Sequence, residues 1–212
     1  MTSTVAIVWP TPLNVEAYAA AGRDVEVPRP DCPACERPMI FWPGYRRDVR
    51  VGDVRRIWVR RAKCRACAAT HALLPAFCLL RRLDAVEVIG SGLVAGVNGT
   101  GMRSVALALD VPHTTVRGWW RRFRLRAPMV AAAFAALATS LGSVAPALSA
   151  EPARAAVEAT GAAWAAARRL LGDRLPPPWR FASAVSGGEL LGTTTHPPWS
   201  GGGGGRLMPP VP

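Results

Sequence analysis

Four of the five cysteines fall in two matched pairs, Cys32-Pro-Ala-Cys35 and Cys64-Arg-Ala-Cys67, with twenty-eight residues between them. A two-residue gap lets one tight knuckle present both sulfurs to a single tetrahedral ion. Four thiolates make a closed structural site with no open position for chemistry, which suits Zn²⁺. Two disulfides or a redox Cys-x-x-Cys are the competing readings, and two pairs within one short basic segment favour metal over either. The segment between the pairs, Trp42 to Lys63, reads as a β-hairpin, so residues 31–80 are expected to form a zinc ribbon. Cys78 lies in an apolar run and reads as a buried core thiol. His71 follows Cys67 closely enough to enter the metal shell, yet four sulfurs already satisfy the ion.

The hairpin alternates. Val49 and Val51 share one face, as do Ile57 and Val59 across from them; Arg46 and Arg50 take the other face with Arg56, Trp58 and Arg60. Gly52-Asp53 supplies the turn. A flat arginine face carrying a tryptophan suits a phosphate backbone or an unpaired base.

Charge points the same way. The chain carries a formal net charge of +12, and Lys63 is the one lysine among 26 basic residues. Arginine presents a planar fork matched to phosphate oxygens and guanine edges. An excess this large implies a polyanionic partner, with nucleic acid first among them. The arginines cluster in two stretches: eight lie between Arg46 and Arg65, and five between Arg117 and Arg126 with no acid among them. Met1 to Pro10 lacks the basic start of an export signal. The uncharged stretch from Pro128 to Ala150 is rich in alanine and broken by Gly142 and Pro146. Its larger side chains, Val130, Phe134, Leu137, Leu141, Val144 and Leu148, form one stripe rather than an apolar surface all round, so no membrane span is expected. Reduced metal-bound cysteines suit a cytoplasmic, nucleoid-associated protein.

From Arg81 to Arg126 the period becomes helical. A first helix is expected from about Leu83 to Val97, a short second from Arg103 to Leu109, and a third, capped by Thr114, running to about Leu125. Asp110-Val111-Pro112 forms the turn between the last two, a helix-turn-helix arrangement. Val116, Trp119, Trp120 and Phe123 take core positions in the third helix. That leaves His113, Thr114, Thr115 and Arg117 for base readout, and Arg121, Arg122 and Arg124 for the phosphate backbone.

The expected organisation is α+β. Residues 1–30 are a strand (Thr4 to Trp9) and an irregular approach, 31–80 the ribbon, and 81–127 the helix-turn-helix. Residues 128–175 are an alanine-rich helical segment with Val157, Trp164 and Leu171 at heptad spacing. Residues 176–212 are a Pro/Gly tail with too little apolar surface to offset its ordering entropy. Trp179, Phe181 and Trp199 then read as loose tail aromatics.

The cysteine pairs, the exit from Thr70 and His71 to Pro75, and the stretch Val111-Pro-His-Thr-Thr-Val-Arg-Gly-Trp119 resemble an actinobacterial family of unknown function. That family pairs a zinc ribbon with a homeodomain-like helix-turn-helix, and the pairing is similar to the N-terminal DNA-binding part of certain insertion-sequence transposases. The resemblance covers about residues 4–127. It implies zinc at Cys32, Cys35, Cys64 and Cys67, DNA contact through the third helix, and no known reaction.

The function expected is sequence-specific binding of double-stranded DNA, as a regulator or as the recognition module of a mobile element, with a transposase or a second copy as further partner. An intrinsic strand-transfer enzyme needs three convergent carboxylates. Beyond residue 127 only Glu151, Glu158, Asp173 and Glu189 occur, on helices and tail, so no catalytic residues are assigned. A zinc-stabilised module for RNA or protein is the remaining class, with Trp58 as its stacking ring.

Overall fold

The structure is a computed structural model and describes residues 6–193. It is a mixed α+β fold with a four-stranded sheet and six helices among the described residues. The sheet is built on a long hairpin, β2 (Met39–Val51) and β3 (Asp53–Cys64), that turns at Gly52. The hairpin matches the span expected from Trp42 to Lys63, extending it by three residues at its start and one at its end. Alternation holds: Arg46 lies opposite Trp58 and Asp48 opposite Arg56, while Arg47 pairs with Ile57 and Val49 with Arg55 on the other face. Two further strands were not read from the sequence as a sheet. β4 (Thr70–Pro75) runs antiparallel to β3, and β1 (Ile7–Trp9) lies parallel to β4, giving the order β1-β4-β3-β2.

The approach after β1 is not wholly irregular. Asn14 caps a helix, α1 (Val15–Ala21), its side chain accepting from the Ala17 N–H at 2.8 Å. The cap satisfies an otherwise orphaned donor. Val15 and Tyr18 carry this short helix into the sheet core, where Tyr18 meets Phe77 edge-on at 5.2 Å. Cys78 is buried there too, as its apolar neighbours implied, and burial pushes its thiol up to about 12.

A second core belongs to the helices. α2 (Val86–Val97) and α3 (Met102–Ala108) match the expected elements within a few residues. Thr114 does not cap the next helix. α4 (His113–Ser140) starts one residue earlier, follows Pro112 without a side-chain cap, and runs unbroken past the expected end near Leu125. Pro128 lies inside it, at a cost of about 3 kcal/mol from the lost donor and the clash with the preceding turn. Burial against α5 (Pro152–Leu171) offsets that cost. Val130, Ala131, Phe134 and Ala138 of α4 meet an α5 face built from Ala156, Ala159, Ala163 and Ala167. Alanine faces bring two helix axes close together. The heptad stripe expected on α5 is not its core face: Leu171 is exposed, Val157 and Trp164 are half-buried, and alanines fill the seam.

Helix α2 is seated in the same way. A Cβ at Gly96 would overlap the Trp120 indole, which lies directly on the glycine backbone. Gly96→Ala is therefore expected to force Trp120 off its rotamer and cost about 1–3 kcal/mol, measured by denaturant unfolding.

The largest departure is at the C-terminus. Residues 176–193, expected to be disordered, are ordered: Pro178–Val185 form α6, and Phe181, Leu190 and Leu191 are buried. The Trp179 indole lies against Gly90, and Trp164 Nε1 donates to the Pro176 carbonyl at 2.9 Å. These aromatics are core, not loose. Trp199 and the glycine run 201–205 lie outside the described residues. No helix among the described residues is long and apolar enough to cross a membrane.

Candidate metal centre and arginine surfaces

The hairpin brings the cysteine pairs together by register. Met39 of β2 pairs with Cys64 of β3, so the knuckle before β2 and the knuckle after β3 meet at one end of the ladder. Each knuckle closes alike. Cys32 N–H donates to the Arg37 carbonyl and Cys64 N–H to the Ala69 carbonyl, both at 2.9 Å. Each pair is followed by a residue with positive φ, Glu36 at 56° and Ala68 at 59°. The left-handed turn folds the chain back so that both sulfurs of a pair point the same way.

All four sulfurs lie within 4.8 Å of one another. Cys32 Sγ is 3.6 Å from Cys67 Sγ, and Cys35 Sγ is 3.4 Å from Cys64 Sγ. Disulfides need about 2.05 Å, and all four cysteines are free thiols. A tetrahedral ion with metal–sulfur bonds of about 2.3 Å spaces its sulfurs about 3.8 Å apart. The residues therefore fit a four-sulfur metal site. His71 is buried on β4 and is not one of the four.

The electrostatics of the quartet call for a cation. The Cys67 backbone N–H, aided by neighbouring S–H groups, holds the Cys64 thiol down to about 6. The Arg37 backbone N–H favours the Cys35 thiolate too, but hydrogen bonding to Cys64 and burial outweigh it and push Cys35 up to about 12. One ionised sulfur suppresses ionisation of its neighbour. A bound cation removes that conflict and releases the remaining protons.

The two arginine clusters have different fates. On the hairpin, Arg50 bonds through Nε and Nη2 to Oδ1 of buried Asp84, each at 2.6 Å. Its backbone N–H donates to Leu83 and its carbonyl accepts from Ala85, so this arginine joins the hairpin to the start of α2. Arg56 is paired with Asp48 at 2.8 Å, which holds that carboxyl below its ordinary range. Arg60 donates to the Arg23 carbonyl at 2.6 Å and lies 5.3 Å from the Phe41 ring. Arg46 is exposed and lines a cleft of about 190 Å³ with Arg23, Arg56 and Trp58. Trp58, the expected stacking ring, is covered by the Arg23 guanidinium at 4.3 Å. Charge clustering overstated this face: Arg50, Arg56 and Arg60 already have partners within the fold.

The α4 cluster is freer. Thr114, Arg117, Arg121 and Arg124 are all exposed at spacings of three, four and three, a single stripe along the helix. Val116, Trp119, Trp120 and Phe123 are buried behind them. His113 and Thr115 are half-buried at the helix start. Arg122 is half-buried and donates to the Gly118 carbonyl at 2.9 Å. Arg126, the last of the cluster, is buried and off the stripe. α4 follows α3 after residues 109–112, where Asp110 takes positive φ and Val111 N–H donates to the Ala106 carbonyl at 3.0 Å. Asp tolerates that conformation better than most residues. Sequence reasoning missed Arg47, which donates to the Leu79 and Arg82 carbonyls and fastens the hairpin to its exit loop. It lies on the valine-bearing face, and that period-2 position was its available signal.

No curated protein and no solved structure matches the chain. Residues 32–106 match the model of a domain of unknown function, DUF6431, a match that opens on the first cysteine of the quartet and closes within α3.

Proposed function

We propose that the chain is a zinc-dependent, sequence-specific DNA-binding protein, a regulator or the recognition module of a mobile element. The observation that carries this reading is the exposed stripe Thr114, Arg117, Arg121 and Arg124, with Glu151 near its Arg124 end, on the helix that follows a short helix and a four-residue turn. α3 and α4 then act as a helix-turn-helix, with the start of α4 in the major groove of double-stranded DNA and its later arginines on phosphate. Thr114, Arg117, His113 and Thr115 read bases; Arg121, Arg124 and Arg122 position the helix. Arg46 is the hairpin arginine best placed to add a phosphate contact. Arg56 can join it only by leaving Asp48.

Zn²⁺ is the ion best suited to four thiolates at this spacing, and it supplies folding energy rather than chemistry. Residues 31–80 are thus read as a zinc ribbon, in keeping with the resemblance to ribbon-plus-helix-turn-helix proteins and the DNA-binding part of insertion-sequence transposases. The role is binding in the cytoplasm, at the nucleoid, with any strand-transfer chemistry left to a partner.

The test is selection of bound duplexes from a random DNA pool by zinc-loaded protein at near-physiological salt. An enriched motif is expected, and its symmetry reports monomer or dimer. Binding without a motif that collapses as salt rises overturns sequence-specific recognition. On the selected site, Arg117→Ala is expected to cost about 1–3 kcal/mol and to relax one position. Equal weakening on every sequence reassigns Arg117 to phosphate.

A further inference from the structure

The sheet carries a second surface that α4 does not use. Between Trp42 and Tyr45 the hairpin register shifts: three steps along β2 span only the two from Arg61 to Val59 on β3. This bulge keeps Trp42 and Tyr45 on the same face, opposite Arg61 and Val59 respectively. Both rings are open to solvent, Trp42 at 41% and Tyr45 at 40%, on the outermost strand of the sheet. Lys63 Nζ lies 4.4 Å from the Trp42 centroid, a cation–π contact on an indole that remains partly open to solvent. Arg61 shares this side of the hairpin, its guanidinium donating to Thr70 Oγ1 at 3.1 Å.

The bulge is a built feature. A Cβ at Gly44 would collide with the Val59 carbonyl and approach Trp58 Nε1 to 2.8 Å, so the backbone at the bulge rests directly on β3 and the Trp58 indole. Arg23 backs that indole at 4.3 Å. Trp42 and Tyr45 are therefore held outward on a supported backbone, which lowers the entropy cost of binding against them.

We propose that Trp42, Tyr45 and Lys63 form a stacking platform for unpaired nucleotides of single-stranded DNA. The two rings are offset by two residues of strand, about 7 Å. That is about twice the 3.4 Å advance of a duplex strand per phosphate, so bases stacked on both rings belong to an extended, unpaired strand. Rings beside cations supply the two elements of single-strand binding, stacking and backbone neutralisation. A protein partner fits less well, because the rings sit among fixed cations in a chain of net charge +12. This reading stands independently of duplex recognition by α4.

The test measures binding of a short fluorescent oligothymidylate at low salt, on full-length zinc-loaded protein, beside binding of duplex DNA. Wild type is expected to bind the oligothymidylate. Trp42→Ala should weaken it about 10-fold or more, and Trp42→Phe should restore most of the loss, the metal-to-protein ratio staying unchanged. Tyr45→Ala gives the same loss, and it decides the matter if Trp42→Ala fails to retain its metal. Arg117→Ala leaves oligothymidylate binding intact while weakening the duplex, so failure of either surface is told from failure of the other. No binding by wild type overturns the platform, as does equal binding by metal-retaining Trp42→Ala and Tyr45→Ala.

Discussion

Cys64→Ser is expected to abolish stoichiometric metal binding and melt the sheet, while most of the helical signal survives. Cys64 occupies two roles at once. It is the last residue of β3, in register with Met39, and it is a sulfur of the quartet. A structural zinc ion contributes on the order of 10 kcal/mol at neutral pH, as much as a whole small domain has to spare. The helices have their own core, running from Leu79 through α2 and α4 to Leu191, which explains the split response. Far-ultraviolet and near-ultraviolet circular dichroism with and without chelator checks both halves. A serine variant that keeps its sheet without metal would sink the claim. Acid should act in the same direction. The folded Cys64 thiol is held at about 6, below its ordinary value of 9.0. Its contribution is complete above the unfolded value and is lost as pH falls through about 6. Protons compete with the ion for all four thiolates, so acidification is also expected to release metal, followed by chromogenic capture of the released ion.

The parts of this fold legible in the sequence are those set by local chemistry. Cys-x-x-Cys spacing specifies a knuckle whatever surrounds it, and alternation from Val49 to Val59 specifies the hairpin faces. The core of α4 was legible because Val116, Trp119, Trp120 and Phe123 are large and periodic. The rest was hidden for physical reasons. α4 passes Pro128 because an alanine seam on α5 absorbs its cost, and α2 is seated through Gly96, where the informative side chain is absent. A pattern reading weighs large apolar residues and is blind to faces made of small ones. Charge clusters misled in the opposite sense. Asp84 lies thirty-four residues beyond Arg50, so only the folded chain shows that this arginine is committed. Among the candidate site residues, the four cysteines were therefore the most legible. The division of labour among the arginines was the least.

Phe181→Ala is expected to lower the stability of the metal-loaded protein by about 3–5 kcal/mol, the usual cost of emptying a buried aromatic site. Composition alone assigns Phe181 to a tail, and on that reading the substitution changes nothing. In the fold it is 1% exposed, its ring 6.4 Å from Phe134 of α4. Its helix, α6, fastens both cores. Trp179 lies on Gly90 of α2, and Ser183 Oγ donates to the Cys78 carbonyl at 2.7 Å within the sheet core. Arg180 pairs with Glu87, donates to the Leu13 carbonyl at 2.9 Å and lies 5.5 Å from the Phe77 ring. Loss of Phe181 should therefore weaken the coupling between sheet and helices as well as the helical core. Urea unfolding followed separately by tryptophan fluorescence and by metal release reads both effects. The two transitions should coincide in the wild type and separate in the variant, the helices opening first. A variant with wild-type midpoints would return residues 176–193 to the tail that their prolines and glycines suggest.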